Sequence, residues 1–156
     1  MSSHDEDRKA ADVGGQTLFE AIEASGLPDE ETFVVHRRPK CLALLNAYPY
    51  TSGHLLVVPR RVVVALAELT EEEHVALWSM VRDAVAAVET AYSPGGVNVG
   101  LNQGAAAGAG VPGHLHVHVL PRWLGDTNFM TATANIRVLP EALEETWRRL
   151  VEIWPS

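Results

Sequence analysis

The chain has 156 residues, 47% of them hydrophobic, and its 20 Asp and Glu against 12 Lys and Arg give a formal net charge of −8. That length supports one domain with a sizeable core, and that hydrophobic content excludes a disordered polymer. The acidic surplus excludes a nucleic-acid backbone or an anionic membrane as the main partner, though not a small phosphorylated ligand held by local donors. Cys41 is the sole cysteine, so no internal disulfide can form and a reducing compartment is expected. The polar N-terminus carries no apolar signal core and no run reaches membrane-spanning length, so a cytoplasmic enzyme or binding domain is expected. Residues 1–15 read as a mobile N-terminal tail and 16–156 as a single domain.

In chain order, Thr17 to Ile22 has helical spacing, with Gly26 and Pro28 ending it. Phe33 to Arg37 and Cys41 to Asn46 read as strands about a turn at Arg38-Pro39. After a loop from Pro49 to Gly53, His54 to Pro59 forms an apolar strand. Thr70 and Glu73 have the spacing of a capping box. The Leu77, Trp78, Val81, Val85, Val88 and Tyr92 series then predicts a long amphipathic helix, stopped by Pro94-Gly95-Gly96. Val97 to Asn102 alternates as a strand, and Gln103 to Gly113 is an Ala/Gly loop. Pro140 to Trp154 predicts a C-terminal helix with Pro140 in its first turn. Strands of antiparallel pattern with helices bunched between them give an α+β fold.

The loop delivers the chain into Gly113-His114-Leu115-His116-Val117-His118-Val119-Leu120-Pro121-Arg122. Side chains alternate faces along a strand, so an extended backbone puts His114, His116 and His118 on one face and three aliphatic side chains on the other. Three readings are open for such a row: a histidine-rich solvent face, a zinc site, or covalent catalysis. Zinc needs a third ligand in tetrahedral geometry, and no clustered carboxylate or cysteine lies nearby. Imidazole is a good nucleophile near neutral pH, and its neighbours on the face could hold a phosphoryl oxygen or protonate a leaving group. The backbone N–H groups of a Gly-rich loop make anion-binding concavities, which favours the third reading.

His114-Leu115-His116-Val117-His118-Val119-Leu120 resembles the signature of the histidine triad (HIT) family. Leu45-Asn46, Gly53-His54, Asn102-Gln103-Gly104 and Pro121-Arg122-Trp123 with Gly125-Asp126 and Asn128-Phe129-Met130 extend the likeness, toward a bacterial branch near the diadenosine polyphosphate hydrolases and phosphorylases. The resemblance implies a five-stranded antiparallel sheet with one long helix and a C-terminal helix, usually as a homodimer whose sheets join. It implies a nucleotide substrate attacked by His116 to give a nucleotidyl-histidine intermediate, resolved by water or another acceptor. His118 would hold phosphoryl oxygens or assist the leaving group, while His114 and His54 complete a hydrogen-bonded histidine cluster. Asn46 would contact ribose, and Asn102 with Gly108, Ala109 and Gly110 would bind phosphate oxygens. No metal ligand set and no firm cofactor follow, and a divalent cation would arrive with the nucleotide.

The chain departs from the family pattern at two places. Gly110 stands four residues before the triad, where many members carry Gln or Ser, and Leu18-Phe19-Glu20-Ala21 replaces a Cys-x-x-Cys metal site. Two alternatives are therefore kept beside the hydrolase or nucleotidyltransferase reading: a phosphorylase using inorganic phosphate, and a nucleotide-binding protein with negligible turnover. Trp123 is a candidate pocket border, and His4, His36 and His74 are expected at the surface.

Overall fold

A computed structural model describes residues 12–13, 15–126 and 141–156. The expectations for most of the N-terminal tail, for Asn128 to Met130 and for Pro140 lie outside the described residues. Five strands form one antiparallel sheet: β3 (Val34–Arg37), β4 (Cys41–Leu45), β5 (Leu55–Pro59), β6 (Gly96–Leu101) and β7 (Val117–Arg122), in the order β3-β4-β5-β7-β6. Before them, β1 (Asp12–Val13) pairs with β2 (Gln16–Thr17), so the end of the expected tail folds back as a small hairpin.

Among the described residues the α-helices are α1 (Leu18–Ala24), α2 (Asp29–Thr32), α3 (Glu71–Tyr92) and α4 (Leu143–Ile153). The single turn α2 was not legible from spacing, because four residues are too few for a period. It closes on Phe33, which takes the left-handed conformation (φ 58°) and so begins the turn into β3 instead of belonging to the strand. The long helix starts as expected, with Thr70 Oγ1 accepting from Glu73 N–H and the Glu73 carboxylate accepting from Thr70 N–H. Arg61 clamps that same carboxylate at 2.7 and 2.8 Å, and the contact holds Glu73 down at about 2.

Strands β4 and β5 are buried along their whole length because helices cover both faces of the sheet. Cys41, Ala43, Leu45, Leu55 and Val57 pack with Val117, Val119 and the α3 residues Leu77, Met80 and Ala84. On the opposite face, Leu42, Leu44, Leu56 and Val58 pack against Phe19 of α1, flanked by Leu18 and Ile22. Val117 and Val119 are thus rooted in the larger core, while His118, opposite Leu56 and Gly100, turns to the α1 side of the sheet. Among the described residues, helix α1 covers the β3–β5 part of that side, and β6 is mostly exposed.

Candidate active site

Of the three alternating histidines, only His118 lies within the ladder of β7. His114 and His116 precede it, because the turn that bonds His114 N–H to Val111 O carries the chain away from β6. Leu115 N–H bonds instead to Val63 O at 2.8 Å. His54 likewise stands just ahead of β5, closing its loop by accepting Asn46 N–H on its backbone oxygen. His54, His114 and His116 are 1%, 1% and 4% exposed.

Hydrogen bonds assign the tautomer of each ring. His116 Nδ1 lies 2.9 Å from the backbone oxygen of His114 and must donate to it. The neutral ring therefore presents an unprotonated Nε2. Tyr50 N–H donates to His54 Nδ1 at 3.1 Å, so His54 carries its proton on Nε2 and donates to His118 Nδ1 at 2.9 Å. His118 is left with its proton on Nε2. The outcome is a base and a hydrogen-bond donor side by side: a lone pair on His116 and an N–H on His118, with ring centroids 5.1 Å apart.

His114 is not bonded to the other imidazoles. Its Nε2–H donates to Pro59 O at 2.7 Å and its Nδ1 accepts from the Thr17 hydroxyl at 2.9 Å. Its tie to the cluster is the backbone oxygen that holds His116. Phe19 sets its ring edge-on to His114 at 5.1 Å and tilted against His116 at 5.7 Å. Tyr50 lies over the other pair, 4.6 Å from His54 and nearly parallel to His118 at 6.0 Å. Sequence reasoning left Thr17, Phe19 and Tyr50 out of the site; the Tyr48-Pro49-Tyr50 run four residues before His54 was the signal available for Tyr50.

Asn46 is half-buried, with its carboxamide nitrogen 3.5 Å from both ring nitrogens of His54 and its oxygen accepting Tyr48 N–H. Asn102 braces the Gly-rich loop by reaching Gly108 O at 3.5 Å. Gly104 and Gly108 take φ of 85° and 88°, which glycine adopts without strain. A Cβ at Gly110 would meet nothing within 4 Å, so space does not demand glycine there. Trp123 is edge-on to Tyr92 at the end of α3 and not on the histidine face. His74 is exposed, but His36 is half-buried, stacked on Trp154 at 5.3 Å, which corrects its expected surface position. Among the described residues, no group of three His, Cys, Asp or Glu side chains is placed to hold a metal ion.

Burial lowers the pKa of His114, His116 and His118, and for His118 the neighbouring His116 adds to it, bringing it to about 4. Between about 4 and the ordinary 6.5, the unfolded chain takes up a proton at this position that the folded chain refuses. Stability is therefore expected to fall as pH drops through that window and to be free of this penalty above it. Urea unfolding midpoints at pH 5 and pH 7.5 check this, and the difference should shrink in His118→Gln.

The open sheet, the buried imidazole row and the glycine loop define a histidine-triad domain. The HIT domain family matches residues 28–123, and the chain belongs to it. Among its relatives is the AP-4-A phosphorylase of Mycobacterium tuberculosis, 45% identical over 128 residues, which span 82% of this chain and 66% of that protein. The bis(5'-nucleosyl)-tetraphosphatase (asymmetrical) of Schizosaccharomyces pombe is 38% identical over 93 residues, 60% of this chain and 50% of its own. The chain thus spans between half and about two thirds of the length of these relatives. Among solved structures, a Hit-like protein from Bartonella henselae superposes with a TM-score of 0.71 at 26% identity, over 86% of this chain and 93% of that one. A zinc-bound histidine triad family protein from Mycobacterium smegmatis gives 0.70 at 28%, covering 86% and 90%.

Proposed function

We propose that this protein cleaves dinucleoside polyphosphates, or related adenosine phosphate derivatives, through a nucleotidyl-histidine intermediate. The observation that carries the reading is the opposed tautomers of His116 and His118 on one rigid face. His116 Nε2 attacks the α-phosphorus and forms the P–N bond as the P–O bond to the polyphosphate breaks. His118 Nε2–H donates to the departing oxygen. His54, held by Tyr50 N–H, keeps His118 in the donating form, and a second acceptor then displaces the nucleotidyl group from His116. Positioning and charge stabilisation dominate such displacements, which is why rings fixed by burial and hydrogen bonds suit them.

Asn46 faces the ribose with its amide, and Asn102 with the Gly108-Ala109-Gly110 backbone receives phosphate oxygens. Any divalent cation travels with the nucleotide. The mycobacterial relative's name supports inorganic phosphate as the acceptor, and the yeast relative's supports water. Incubation with diadenosine tetraphosphate, with and without inorganic phosphate, separates them. ADP plus ATP only with phosphate marks a phosphorylase, and AMP plus ATP from water marks a hydrolase. Tight nucleotide binding without product in either tube overturns the enzyme in favour of a binding protein.

In the same reading the protein is a cytoplasmic homodimer. Strand β6 bonds only to β7 among the described residues, and its Gly-Val-Asn-Val-Gly-Leu sequence carries no charge or proline to blunt its outer edge. A second copy of β6 suits that edge. The buried single cysteine accords with a reducing compartment, and no described helix is long and apolar enough to cross a membrane.

A further inference from the structure

The N-cap of α1 is wired into the histidine cluster. Thr17 Oγ1 accepts Glu20 N–H at 3.3 Å, and Glu20 returns the bond by accepting Thr17 N–H at 2.8 Å. A capping box needs nothing more of its hydroxyl than that acceptance. Here the hydroxyl proton has a second destination, His114 Nδ1 at 2.9 Å, 97 residues along the chain. Because His114 Nε2–H is already committed to Pro59 O, its Nδ1 can only accept, and Thr17 is the donor that suits it. The threonine methyl completes the fit, lying 3.7 Å from where a Cβ on Gly113 would stand.

The ring so fixed from both ends belongs to the residue whose backbone oxygen orients His116. Anchoring that ring at both nitrogens holds the His114 main chain in place, and with it the oxygen that sets the direction of the His116 lone pair. We infer that Thr17 is a positioning residue for the nucleophile, acting through His114, and that the capping box of α1 serves the chemistry as well as the helix. The inference rests on the proposed role of His116, while its structural half stands independently of turnover. Phe19, two residues on and against both rings, restrains the same pair by packing.

Three variants separate positioning from simple helix anchoring. Thr17→Val keeps the shape and removes the hydroxyl. Thr17→Ser keeps the hydroxyl. Ile22→Ala loosens the packing of α1 on the sheet while leaving the capping box and its bond to His114 intact. Thr17→Val should lower kcat about tenfold with KM little changed, the size expected from losing one buried hydrogen bond. Its His114 Nδ1 should move toward the free, unbonded nitrogen position in 15N NMR of the imidazoles, and the His116 ring signals should shift with it. Thr17→Ser should stay within about twofold of the parent, and Ile22→Ala should lower Tm while leaving kcat and both ring spectra in place. Wild-type kcat and unshifted His114 and His116 signals in Thr17→Val would overturn the inference. So would Ile22→Ala losing as much kcat as Thr17→Val. Shifted ring signals in a protein whose parent turns nothing over would uphold the wiring and sink the proposed activity instead.

Discussion

His116→Ala is expected to lower turnover of diadenosine tetraphosphate by about 10⁴-fold or more while leaving nucleotide affinity largely intact. No other ring can take over the attack. His118 holds its Nδ1 against His54 and its proton on Nε2, and His114 has both nitrogens occupied by Pro59 and Thr17. The alanine methyl also leaves the strand in register, since Val117 and Val119 hold it from the opposite face. Steady-state kinetics read the loss, and nucleotide titration reads the retained affinity. Intact-protein mass spectrometry of the parent, quenched in alkali where a phosphoramidate survives, should find one added nucleotidyl unit that His116→Ala lacks. Parent-like turnover by the variant would refute the nucleophile assignment.

The second large effect falls on Gly53. Its φ is +82°, and a Cβ there would stand 2.6 Å from Cε2 of Tyr92. The ring cannot simply swing aside. Its hydroxyl donates to Glu141 at 2.5 Å, Arg149 lies over its face at 5.3 Å, and Trp123 meets it edge-on. Gly53→Ala therefore combines left-handed strain with overpacking against a pinned ring, a destabilisation of ~2–4 kcal/mol. Urea denaturation at pH 7.5 measures it. Relief in the double variant Gly53→Ala with Tyr92→Leu would locate the clash at that ring, and additive losses would place the cause in the backbone alone.

Much of this was legible in the sequence because it is local. Alternation of His114, His116 and His118 with aliphatic residues specifies which side of a strand meets the core, and the Thr70–Glu73 spacing specifies where α3 starts. The continuous apolar character of Cys41 to Leu45 and Leu55 to Pro59 reflects cover on both faces. What escaped reading is what forms between distant segments. Nothing in Thr17-Leu18-Phe19 distinguishes a helix start from one that closes over imidazoles far along the chain. The capping box hides the second bond of Thr17 behind a complete local explanation. The separation of His114 from the His54–His118 pair escaped for the same reason, since alternation predicts a shared face but not which ring bonds to which. His36 was misplaced because its neighbour, Trp154, lies at the far end of the chain.

The position of α1 bears on where the unit that houses the histidines begins. The HIT domain match runs over residues 28–123 and so takes in all four histidines, both asparagines and the glycine loop. Thr17 and Phe19 lie ahead of that stretch, yet they make the only described side-chain hydrogen bond to His114 and the aromatic wall beside His116. A chain trimmed to the recognisable family segment would keep every residue of the signature and expose Leu42, Leu44, Leu56 and Val58 to water. The imidazoles would remain in name, with one side of their housing gone. Here the stretch that matches the domain and the stretch that houses its histidines begin in different places.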